Sequence, residues 1–217
     1  YKFHMLMLFG CMRAYTLEQG KRLVRAARNA IELFLTSPHY SNSLIERQLE
    51  GFEDKHGVFV TLYTHLPELS LRGCIGFPQP IDSVKKLLPQ AAIAAATEDP
   101  RFEPVSKREL EHLIVEVSIL STPERIKGTP YEIEKSIRIG EDGLIIEYGF
   151  HSGLLLPIVA VEEKWDARQF LDNVCIKAGL PTDTWRRPNV SLYKFSTQVF
   201  REKEPNGEVE EVDLSKI

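Results

Sequence analysis

Two glycine hairpin signatures, Asp142-Gly143 and Asn206-Gly207, lie in a chain whose other segments repeat apolar residues at helical spacing. That mixture constrains the fold most. Helical segments and antiparallel hairpins are interspersed without a strand-helix-strand rhythm, so the pattern predicts an α+β fold rather than a doubly wound parallel sheet. We expect a two-lobed single domain with a mostly antiparallel sheet and flanking helices. A length of 217 residues suffices for one large core or two small lobes.

The elements read as follows. Thr16 and Gln19 form a capping box ahead of Leu23, Ala27, Ala30, Ile31 and Phe34, and Ser37-Pro38 ends that helix. Ser43 to Leu49 reads as a short second helix. Val58 to His65 reads as a strand, with a turn at Pro67-Glu68 and a return through Ser70 to Phe77. Asp82 is the expected cap of a helix over Ser83 to Thr97, which Pro89 should kink or split. Ser106 and Glu109 cap a short helix, and Leu113 to Leu120 follows as a buried strand. Ile137 to Gly140, Asp142-Gly143 and Leu144 to Tyr148 read as a hairpin. Gly149 to Gly153 is a second turn, and Leu154 to Val159 a further strand. Asp166 and Gln169 cap a helix that Gly179 and Pro181 end. Val190 to Phe200 is a strand, and Asn206-Gly207 pairs Val199 to Lys203 with Val209 to Leu214. Residues 1–15 read as an N-terminal extension and stay outside the fold reading; residues 16–202 form the domain, and residues 203–217 a hairpin-like tail.

The candidate site is L-R-G-C-I-G, Leu71 to Gly76. In an extended segment, alternation places Arg72 and Cys74 on one face, about 7 Å apart. A guanidinium there would lower the thiol pKa, as a reactive cysteine requires. Gly73 and Gly76 would leave room for a ligand or another backbone. The competing reading is a buried cysteine acting as a small hydrophobe beside glycines that mark a bulge. Asp99 and Arg101 lie in a turn after an Ala-rich helix. Arg101 is suited to an anionic substrate group, with Asp99 orienting it or serving as base; the alternative is a turn whose aspartate caps amides. Phe102 reads as core. His151 reads as an exposed turn residue, and Cys175 as core packing.

The L-R-G-C-I-G string resembles the signature of the AMMECR domain family, named after the human protein of the Alport syndrome, intellectual disability, midface hypoplasia and elliptocytosis chromosomal region. Asp99-Pro100-Arg101-Phe102 resembles the family's D-x-R-F segment, and Val117 to Ser121 its following strand. Gly140 to Gly143, Leu155-Leu156-Pro157, Trp165-Asp166, Phe170-Leu171, Lys177-Ala178-Gly179 and the strand near Tyr193 and Phe195 keep the family's order. The resemblance covers about Leu17 to Glu202. It implies a two-lobed α+β fold with the motif near a cleft between lobes, and no established activity. It also implies a link to Memo-type and radical-SAM proteins, beside which some prokaryotic members are encoded or fused.

Composition narrows the classes further. A net charge of -4 weighs against bulk phosphate tracking, so nucleic acid is disfavoured, although Trp185 with Arg186-Arg187 is a small basic-aromatic patch. Three widely spaced cysteines, Cys11, Cys74 and Cys175, point to a reducing, cytoplasmic setting rather than a disulfide framework. No apolar run has membrane-span length. Histidine and cysteine spacing matches no metal motif, and no nucleotide or dinucleotide fingerprint occurs, so neither metal nor cofactor is expected. The function expected is a cysteine-dependent enzyme or small-ligand-binding protein with Cys74 and Arg72 catalytic and Gly73, Gly76, Asp99 and Arg101 at the substrate. The alternative is a non-enzymatic protein-binding adaptor in which the motif is structural.

Overall fold

The computed structural model describes residues 14–214; the N-terminal apolar segment and Cys11 lie outside them. Helix α1 (Leu17–Thr36) opens with the expected Thr16–Gln19 capping box, and α2 (Asn42–Gln48) follows. Strands β1 (Gly57–Thr64) and β2 (Ser70–Phe77) form a hairpin. Helix α3 (Val84–Thr97) runs through Pro89 unbroken. Its N-cap is Ser83, and Asp82 accepts the Ser83 amide at 2.8 Å instead of capping a later turn. Next come α4 (Lys107–Leu110), β3 (Leu113–Leu120), β4 (Glu124–Arg125) and α5 (Pro130–Ser136). Strands β5 (Asp142–Tyr148) and β6 (His151–Leu155) form the second hairpin. Helices α6 (Pro157–Glu162) and α7 (Ala167–Lys177), a 3-10 turn at Thr184–Arg186, and β7 (Ser191–Glu202) and β8 (Val209–Val212) complete the chain.

The pairing is antiparallel throughout, in the order β2-β1-β3-β7-β5-β6, with β4 and β8 also on β7. The fold is therefore α+β. Strand β7 organises it: Ser191 to Ser196 pairs with β5, and Thr197 to Leu120 of β3 begins the pairing of its other half. Two cores share this strand. Helices α1 and α3 cover Val58, Val60 and Leu62 of β1 and Val115 and Val117 of β3. Helix α7 packs Phe170, Leu171 and Val174 on Leu144 and Ile146 of β5, around buried Trp185. Burying these apolar faces drives the fold.

Three local expectations fail. The segment at 137–141 is not a strand. Asp142-Gly143 does not turn, because both residues pair with Ser196 and Phe195 of β7. The hairpin turn is instead Gly149-Phe150, with Gly149 at φ +61, and Gly153 lies within β6. Leu154 to Val159 is not one strand: Pro157 occupies the first turn of α6. Helix α5 starts at the Thr129–Glu132 capping box, a signal present in the sequence. At the far end Asn206 (φ +57) and Gly207 turn the β7–β8 hairpin as expected.

Candidate functional site

Because paired residues project to the same side of a sheet, the registers define a transverse row. Cys74 of β2 lies opposite Thr61 of β1, Thr61 opposite Glu116 of β3, and Glu116 opposite Arg201 of β7. The row lies on the sheet face turned away from α1 and α3, since its neighbours Val60, Leu62, Val115 and Val117 fill the helix-covered core. Thr61 and Glu116 are buried, and Cys74 is half-buried.

Polar contacts join the residues at each end of the row. The Thr61 hydroxyl donates to Cys74 Sγ at 3.3 Å. The Tyr63 hydroxyl donates to Glu116 Oε1 at 3.4 Å, and Arg201 Nη1 stands 3.6 Å from Glu116 Oε2. Burial pushes the Glu116 carboxyl up to about 7 against the pull of Arg201 and Tyr63. Glu162, at the end of α6, adds its negative field. Burial also pushes the Cys74 thiol up; Thr61 and Arg101 oppose this, while Glu116 and Asp99 reinforce it. At neutral pH the resting thiol is protonated.

The expected pairing of Arg72 with Cys74 is not formed. The register slips between Leu62 and Tyr63: Leu62 faces Gly73, Tyr63 faces Leu71, and Arg72 is the extra residue of a bulge. Its guanidinium binds Glu109 at 2.5 and 3.1 Å and the Glu103 carbonyl at 2.8 Å. The cation acting on the thiol is Arg101.

The glycines take the second of their two expected uses, the close approach of another backbone. The space beside Gly73 holds the Ala95 carbonyl of α3, with which an added Cβ would collide. At Gly76 a Cβ would collide with the Val58 carbonyl and Phe59. Backbone and ring, rather than open space, fill the room both glycines leave.

Asp99 caps amides, the competing reading, and also pairs with Arg101. Its Oδ2 accepts the Cys74 amide at 2.9 Å and Arg101 Nη2 at 2.7 Å, while Oδ1 accepts Arg101 Nε at 2.9 Å and the Arg101 amide at 3.2 Å. Hydrogen bonds from Arg101 hold its carboxyl well below the usual range. Asp99 thus anchors the motif's backbone and orients Arg101, whose side chain remains 53% exposed. Phe102 is half-buried rather than core, with Arg72 and Arg101 carbons 5.6 and 5.4 Å from its ring centroid.

Reasoning from sequence missed Thr61, Tyr63, Glu116 and Arg201. Glu116 had a signal: it is the one charge in L-I-V-E-V-S-I-L, a strand buried end to end. The others become visible only through register. Elsewhere, Cys175 is fully buried and its thiol is pushed up to about 11 by burial. Exposed His151 opens β6 and places Nδ1 3.1 Å from the Ala178 carbonyl. Among the described residues no three His, Cys, Asp or Glu side chains are grouped to hold a metal ion. No described helix is long and apolar enough to cross a membrane.

The comparisons place the chain among known proteins. The AMMECR1 family model matches residues 24–200. This chain belongs to the AMMECR1 family. A protein of Methanocaldococcus jannaschii is 50% identical over 204 residues, covering 94% of this chain and all of that protein. A Pyrococcus furiosus protein is 48% identical over 199 residues, covering 91% and 94% of the two chains. The crystal structure of an uncharacterised protein from Pyrococcus horikoshii superposes with a TM-score of 0.84 at 45% identity, covering 90% of this chain and 97% of that one. Within this AMMECR1 domain, the polar row brings Cys74 together with Glu116 across β1.

Proposed function

We propose that this AMMECR1 domain is a cysteine-dependent enzyme acting on a small molecule at the Cys74–Thr61–Glu116–Arg201 row. The observation that carries the reading is a buried carboxyl, pushed up to about 7, two strands from a thiol with a hydroxyl between them. A proton-transfer group works best when its pKa lies near the working pH. Cys74 is the nucleophile and loses its thiol proton to solvent, while Glu116 gives or takes a proton on the bound substrate. Arg101 and Arg201 suit a substrate carboxylate or similar anion. Arg72, Asp99, Gly73 and Gly76 act by positioning the motif. The free thiols of Cys74 and Cys175 fit a reducing, cytoplasmic setting.

The test is alkylation of Cys74 and Cys175 across pH, read by mass spectrometry in wild type and Glu116→Gln. In the native protein Cys74 should react with a single alkaline midpoint while Cys175 stays protected. Removing the Glu116 charge should move the Cys74 midpoint toward lower pH, because a neighbouring carboxylate opposes the thiolate. Equal protection of both cysteines until unfolding would overturn the reading.

A second reading, the non-enzymatic adaptor, is favoured by the close approaches at Gly73 and Gly76, which explain both glycines without a ligand. It predicts that Cys74→Ser leaves every binding property unchanged.

A further inference from the structure

A second polar concentration lies away from the row. Arg125, Lys127, Arg186 and Arg187 line one cavity of about 340 Å³, and none of its lining residues is an aspartate or glutamate. Arg125 belongs to β4, Lys127 to the loop before α5, and Arg186 and Arg187 to the 3-10 turn and its C-cap. Among the described residues, none of the four enters a salt bridge. Four unneutralised cations around one concavity stand out in a chain of net charge -4. Two carboxylates on neighbouring segments are engaged elsewhere: Asp172 accepts the Trp185 indole at 2.7 Å, and Glu132 accepts the Thr129 amide at 2.7 Å.

The remaining lining is apolar. Ile133 and Leu192 come from the second core, and Val190 packs against it. The cavity therefore offers charge at its rim and hydrocarbon at its floor, the combination that small-molecule sites use. Arginine forks match phosphate oxygens in pairs. Trp185 is only 2% exposed, so it is no platform for a stacked base, and the Trp-Arg-Arg string is not a single-strand-binding patch. Arg186 instead lies over the indole at 4.7 Å, which holds its guanidinium at the cavity.

We propose that this cavity binds a small phosphomonoester carrying an apolar or aromatic body. The dianion sits among the four cations, and the body rests on Ile133, Val190 and Leu192.

Calorimetric titration of the full chain with phenyl phosphate tests this, with phenol and inorganic phosphate titrated alongside. Phenyl phosphate should bind more tightly than either fragment. Arg125→Gln and Arg187→Gln should each weaken it by about tenfold, the loss of one charge-assisted hydrogen bond. Both side chains are exposed, and an unchanged near-ultraviolet circular dichroism spectrum verifies that each variant is folded. Absence of binding at millimolar phenyl phosphate would overturn the proposal. So would affinity indifferent to both substitutions, inorganic phosphate binding equally well, or a single-stranded oligonucleotide binding far more tightly with the same arginine dependence.

Discussion

At the scale of single residues, the motif serves packing and chemistry at once. Gly73 faces α3 so closely that a methyl group would meet the Ala95 carbonyl, a backbone atom unable to rotate aside. Gly73→Ala should therefore cost at least about 2 kcal/mol, by overpacking and displacement of α3. Urea denaturation followed by circular dichroism checks this; a loss below half that value would mean that β2 and α3 separate readily. The motif was legible in the sequence as a place where something special occurs. The partner of Cys74 was not, because the bulge at Arg72 breaks the alternation of an extended segment. Bulges depend on pairing between strands, which a single sequence does not display. Glu116 was legible in principle, as a carboxylate inside an otherwise apolar strand.

At the scale of elements, α1 is fastened to the sheet by a buried ion pair. Arg28 donates to both Glu202 oxygens, at 2.6 and 2.5 Å, and also to the Leu110 and Leu113 carbonyls, while Glu202 accepts the Val115 amide at 2.9 Å. These hydrogen bonds tie α1, α4, β3 and β7 together. Glu202→Gln keeps the size but leaves the Arg28 charge buried without its counterion, and should destabilise by about 3–5 kcal/mol in the same urea assay. A loss under about 1 kcal/mol would show that the pair does not fasten α1. Capping boxes at Thr16, Ser106 and Asp166 were readable because both partners lie within one turn. The hairpin placed at Asp142-Gly143 was misread because the same dipeptide can sit in a strand when a long partner such as β7 supplies its hydrogen bonds.

At the scale of the whole molecule, one sheet carries two cores, and the polar row lies on the face that α6 overlooks through Glu162. The α+β class was legible from hairpin and helix signals, whereas strand order was not, because β3, β5 and β7 pair across long stretches of chain. The arrangement has a pH consequence. Glu116 keeps its proton in the folded protein to near pH 7 instead of near 4.5, so the folded state binds more protons across that interval. Its contribution is fully present below pH 4.5 and is lost as pH rises through 7, a span of about 3 kcal/mol for a buried carboxyl. Asp99, whose carboxyl is held low, works oppositely and loses its contribution only as pH falls below the ordinary carboxylate range. Glu116→Gln should flatten the stability profile between pH 4.5 and 7 and leave the acid limb intact. An unchanged slope in the variant would assign that pH dependence to other groups.

The most direct measurement is the titration of the Glu116 side-chain carbon by nuclear magnetic resonance in protein labelled at glutamate carboxyls, with Glu116→Gln identifying the signal. A midpoint near pH 7 is the result that a buried carboxyl poised for proton transfer predicts. A midpoint near 4.5 would contradict it and leave the row a structural feature of the sheet.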